Sequence, residues 1–95
     1  MNRSIPEATA ARIRHMEAVF DLLQNVLAQN PFAIRQDAHL QEQLGILAQY
    51  YEGGLWLRDY ELDELGLLPE DLKRGVLSQD ALYDFFAQVD DVFAG

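Results

Sequence analysis

Seventeen residues hold most of the side chains that could do chemistry: YYEGGLWLRDYELDELG, from Tyr50 to Gly66. They contain the aromatics Tyr50, Tyr51, Trp56 and Tyr60, and the acids Asp59, Glu61, Asp63 and Glu64. Asp59 and Asp63 stand four apart, a spacing that on a helix puts two carboxylates on one face, where a pair can do acid–base work. Asp59-x-Glu61-x-Asp63 with Glu70 also matches positions 1, 3, 5 and 12 of an EF-hand loop. Position 6 of that loop needs a sharply turning glycine, and here it is Glu64. Position 8, which usually packs an apolar side chain, is Gly66. The acids therefore attract cations without forming a specific calcium site, and no metal is expected.

The rest of the catalytic inventory is thin. There is no cysteine, hence no thiolate metal site, disulfide or cysteine nucleophile. Ser4 and Ser78 read as helix caps, Thr9 falls in the first turns of a helix, and Lys73 is the only lysine. His15 and His39 fall off the apolar stripes of their helices, and no His-x-x-x-His or Glu-x-x-His spacing gathers ligands on one face. Gly53-Gly54 lacks the context of a phosphate-binding loop. An enzyme is not expected, nor is a cofactor.

The elements that must position the stretch read as helices. Ser4-Ile5-Pro6-Glu7 is a capping box, followed by Ile13, Met16, Phe20, Leu23 and Leu27 at steps of three and four. Asn30-Pro31 should end this first helix near Gln29, so about 25 residues span roughly 37 Å. A second helix lies between Pro31 and Glu52, with Asn30 or Asp37 as N-cap and a stripe of Leu40, Leu44, Leu47 and Tyr51. Gly53-Gly54 ends it, and the short connection implies an antiparallel hairpin. Residues 55–65 permit a short helix with Asp59 and Asp63 beside its apolar face. Ser78 caps the last helix, whose Ala81, Leu82, Phe85, Phe86, Val89, Val92 and Phe93 share one face and should lie in the groove of the hairpin. The expectation is one all-α domain over residues 1–95: a long antiparallel hairpin, a short connecting helix and a C-terminal amphipathic helix, a three-to-four-helix bundle.

A carboxylate beside an apolar face needs a partner. The cations nearest in sequence are Arg58, Lys73 and Arg74, so an ionic lock is expected from Asp59 or Asp63 to Lys73 or Arg74. The competing reading is a polar pocket walled by Tyr51, Trp56 and Tyr60, and a third leaves the acids solvated on an irregular segment. Gly75 beside the two bases would free the backbone for a left-handed conformation.

Charge is divided unevenly. Residues 1–36 carry four basic and three acidic side chains, whereas residues 37–95 carry three basic and thirteen acidic ones, within a net charge of −9. Such a surface repels phosphate backbones and favours a basic partner or a cation. No apolar run approaches the roughly 20 residues that span a bilayer, and the N-terminus lacks a signal-peptide core. No membrane partner is expected, and a cytoplasmic location fits.

From Tyr50 onward the chain resembles a family of short bacterial proteins, domain of unknown function 4298. The resemblance rests on YYEGGLWLRDYELDELG followed by LLPEDLKRGVLSQDALYDFF: paired tyrosines, a small-residue turn, Trp56, Asp59, Tyr60, alternating acids, a leucine-proline turn, and Asp71-Leu-Lys-Arg-Gly-Val-Leu-Ser78 before a closing helix. Leu65 departs from the pattern, standing where a small residue is expected. The likeness covers the C-terminal half and implies a helical fold and a bacterial origin; it carries no activity. It places Lys73 and Arg74 in one motif block with Asp59 and Asp63.

Three functions compete. The first is an interaction or regulatory module binding a basic protein or a second copy of itself, with Phe32 and Ile34 exposed at the hairpin tip. The second is a small-ligand or divalent-cation domain centred on Trp56, Asp59 and Asp63, with Tyr50, Tyr51, Tyr60, Glu61, Glu64, Lys73 and Arg74 around it. The third is an acidic mimic that neutralises a basic enzyme.

Overall fold

The computed structural model describes residues 7–94, and all its regular elements are helical. They are α1 (Glu7–Gln29), α2 (Phe32–Gln36), α3 (Ala38–Glu52), α4 (Leu55–Glu64), a 3₁₀ turn (Gly75–Leu77) and α5 (Gln79–Ala94). Ser4, Ile5 and Pro6 of the expected capping box lie outside the described residues.

α1 ends at Gln29, where Asn30-Pro31 stops it. The expected second helix is divided in two. Asp37 adopts an extended conformation, its N–H closes α2 on the Ala33 carbonyl, and its carboxylate accepts from the N–H groups of His39 and Leu40. Aspartate at this position satisfies orphan donors that would otherwise open α3 uncapped. Gly53 closes α3 on the Gln49 carbonyl, and Gly54, at φ 100°, turns the chain into α4. The Ser78 Oγ accepts from the Ala81 N–H at the start of α5.

The helices form a rod of 52 × 22 × 22 Å. α1 packs along α3, α2 crosses the far end against α1, α3 and α5, and α4 folds back beside α3. α5 returns over the hairpin, its Phe85 edge-on to Phe20 of α1 at 5.4 Å and its Phe86 stacked on Tyr51 of α3 at 5.5 Å. Ile13, Leu23, Leu47, Val76 and Leu82 are fully buried around this seam. Each such side chain removed from water contributes about 1.5–3 kcal/mol before entropy is counted. The tip differs from the sequence expectation. Ile34 is buried completely because α2 lies between three helices, and Phe32 alone of the pair faces outward.

Gly45 sits inside α3 with ordinary helical geometry, and among the described residues a Cβ placed on it would meet no atom within 4 Å beyond its chain neighbours and its own helix backbone. The fold therefore bears the propensity cost of a mid-helix glycine without a packing return. Gly45→Ala is expected to raise the unfolding free energy by about 0.5–1 kcal/mol in urea denaturation; a loss of stability would show that the glycine is structurally required.

Candidate functional site

α4 begins where Gly54 lets the chain reverse, and its second turn delivers Asp59 to the interior with no exposed surface. The partner of Asp59 comes from α1. Arg12 donates from Nε to Oδ2 at 3.0 Å and from Nη2 to Oδ1 at 2.6 Å, a two-pronged guanidinium–carboxylate pair. The Tyr50 hydroxyl of α3 donates to Oδ2 at 2.7 Å. One carboxylate thus joins α1, α3 and α4. The hydrogen bond to Asp59 raises the Arg12 pKa, against the opposing effect of burial. Burial first, then the hydrogen bond to Asp59 and its negative charge, raises the Tyr50 phenol well above its ordinary value.

Of the expected lock, Asp63 with Arg74 is the pairing that forms. Arg74 Nε lies 3.1 Å from Asp63 Oδ1, off the angle a hydrogen bond needs, while its Nη2 donates to the Pro69 carbonyl at 2.9 Å. Lys73 meets Asp21 of α1 at 3.5 Å with both side chains largely in water, rather than Asp59 or Asp63. Asp59 pairs with neither base. Its surroundings are set by α1, which sequence proximity to Lys73 and Arg74 does not reveal.

The rings expected to wall a polar pocket pack on one another. Trp56 stacks on Tyr60 and meets the edge of Tyr51, each at 5.1 Å, and its indole N–H donates to the Val76 carbonyl at 2.9 Å. Tyr50 is buried, Tyr51 and Tyr60 are half-buried, and Glu61 and Glu64 point to solvent. Leu65 is 71% exposed. Asp59, Glu61 and Asp63 lie on one continuous helix, so the looped backbone of an EF-hand is not formed there. Among the described residues no three His, Cys, Asp or Glu side chains converge as metal ligands, and no helix is long and apolar enough to cross a membrane.

Two charged residues of α1 complete the arrangement, and sequence reading passed over both. One is Arg12. The other is Glu17, 7% exposed, which accepts from the Val76 N–H at 2.8 Å. Their signal is positional: Arg12 lies four before Met16, and Glu17 four after Ile13, both on the apolar side of α1. Gly75 has no positive φ, contrary to expectation. Its role is space, since a Cβ there would come within 2.9 Å of Glu17 Oε2.

Chemically, the cluster binds itself. Both Asp59 oxygens accept from Arg12 and one also from Tyr50, so a cation reaching Asp59 would have to displace a guanidinium. Beside Arg12 and Tyr50, a trough of about 460 Å³ opens between α1 and α3, lined largely by apolar surface.

Removing one member of a buried ion pair strands the other. Arg12→Ala is expected to cost about 3–5 kcal/mol, and Arg74→Ala, whose ion pair is partly solvated, under about 1 kcal/mol, both by chemical denaturation. Equal effects would remove Asp59 from its central place. Tyr50→Phe adds a pH signature. A phenol pKa raised on folding contributes stability that is complete below the unfolded value of about 10 and is lost as pH climbs beyond it. Wild-type stability should therefore decline above that pH, and Tyr50→Phe should decline less steeply in a pH series of melting curves.

A family model described as Domain of unknown function (DUF4298) matches residues 13–94, extending the likeness from the C-terminal half into α1 and α3. No curated protein and no solved structure is significantly similar to the chain. A match across nearly the whole helical assembly, including Asp59, Trp56 and the Lys73-Arg74-Gly75 turn, places the chain in the DUF4298 family.

Proposed function

We propose that this protein is an interaction or regulatory module, not an enzyme, and that it binds a basic protein partner through its acidic surface. The observation that supports this reading is the internal use of the motif's reactive groups. Asp59 is held by Arg12 and Tyr50, and the Trp56 N–H is held by Val76. A catalytic base needs a lone pair facing its substrate, and Asp59 has no exposed surface from which to present one. Asp59 and Glu17 are the buried acids, so the other carboxylates, within a net charge of −9, lie at or near the surface. Such a field steers a basic partner into encounter and repels nucleic acid. A ligand or divalent cation centred on Trp56, Asp59 and Asp63 is the weaker reading, because it would have to break these internal contacts.

The immobilised protein, exposed to lysate of its native host, is expected to retain a stoichiometric protein partner at about 0.1 M salt. Retention should fall at least about tenfold near 1 M, where the screening length shortens from ~10 to ~3 Å. Retention indifferent to salt, or no retained partner, would count against the proposal.

A further inference from the structure

We infer that the trough between α1 and α3 is the docking site, and that its occupant is an amphipathic partner helix with an apolar stripe flanked by lysine or arginine. This rests on the interaction reading above and gives it a location. Met16 of α1 forms one wall, Ile46 of α3 the other, and Leu55 closes the end nearest α4. Leu55 is 42% exposed and Ile46 half-buried, leaving apolar surface that none of the described residues fully covers.

Gly45 supplies the second observation. It lines the trough, its backbone is ordinary helix, and among the described residues nothing occupies the space of its missing side chain. What the glycine does is lower one wall, so that another backbone can approach closely. Small residues serve this purpose where helices pack at short range.

Charge supplies the third. Glu42, Gly45, Gln49 and Glu52 fall on one side of α3 at steps of three and four, and both glutamates are exposed. Glu42 lines the trough and Glu52 stands beside it, next to the lining residue Gly53, about 15 Å from Glu42 along the helix at ~1.5 Å per residue. The cation among the lining residues, Arg12, is already neutralised by Asp59. Among the described residues neither glutamate has an ion-pair partner, so an occupant meets two negative charges with apolar surface between them, the complement of about three helical turns bearing leucines between basic ends. A second copy of this acidic chain offers poor complementarity to that pattern.

The test uses the full chain, isotope-labelled for amide spectra. It is titrated with a synthetic amphipathic helical peptide having a leucine stripe between lysines, and with a counterpart carrying glutamate for lysine. The lysine peptide should shift the amides of Gly45, Ile46, Gln49 and Gly53, and the glutamate peptide should not. Gly45→Leu, whose side chain fills the trough from an open position, should weaken the lysine peptide at least about tenfold while melting no lower than the parent. Glu42→Lys with Glu52→Lys should weaken it comparably. Shifts confined to α4 or α5, undiminished binding by Gly45→Leu, or no shifts overturn the inference. In the lysate experiment, a salt-sensitive partner kept by Gly45→Leu overturns the trough as the site and leaves the interaction reading intact. No partner for the parent counts against that reading, while the peptide titration still decides the trough.

Discussion

A carboxylate with no exposed surface governs this fold. Asp59 cannot remain charged inside a protein unless its solvation is replaced, and the penalty for an unpaired buried ion is several kcal/mol. Arg12 and Tyr50 replace the lost water from two other helices. Their geometry constrains more than energy: a forked guanidinium must meet both oxygens while a phenol meets one of them. Sliding α1 along α3, or rotating α4 by one residue, would separate the groups. The ion pair therefore ties the register of three helices to one point.

A second junction lies on the 3₁₀ turn before α5. Both backbone polar groups of Val76 are taken by side chains, the N–H by Glu17 of α1 and the carbonyl by Trp56 of α4. A buried turn has no sheet or long helix to satisfy its backbone, so the side chains must. Gly75 keeps Cβ atoms out of the space where Glu17 approaches. This docking sets where α5 starts, and so brings Phe85 onto Phe20 and Phe86 onto Tyr51. The dense block from Tyr50 to Ser78 is thus mainly a set of instructions for assembly. Its acids and aromatics hold connecting segments that have little regular backbone bonding of their own.

The same division shapes the functional reading. Groups committed to the scaffold are poor reactants, because using them would loosen the helices they join. What remains available is the outer surface: exposed acids, apolar trough walls and the gap at Gly45. In the proposed reading, stability and recognition fall to different residues.

By itself, the sequence determined the helices and most of their ends. Steps of three and four place apolar stripes, Asn30-Pro31 and Gly53-Gly54 stop helices, and Asp37 and Ser78 begin them, all through contacts within a few residues. It also marked Asp59 as a carboxylate in need of a partner, because its position on α4 lies beside the apolar face. The division of the second helix at Asp37 was only half visible: Asp37 is a good N-cap, but the five-residue α2 ahead of it depends on packing against three other helices. Only the tertiary structure decided which base meets Asp59. Arg12 is 47 residues away, and no local periodicity measures that distance. Nearness in sequence pointed to Lys73 and Arg74; Arg74 does meet Asp63, but the turn carrying both bases is held by Glu17 and Trp56, and Lys73 faces Asp21. Charge pairing between distant segments follows from how helices pack, and packing depends on the whole set of buried side chains at once.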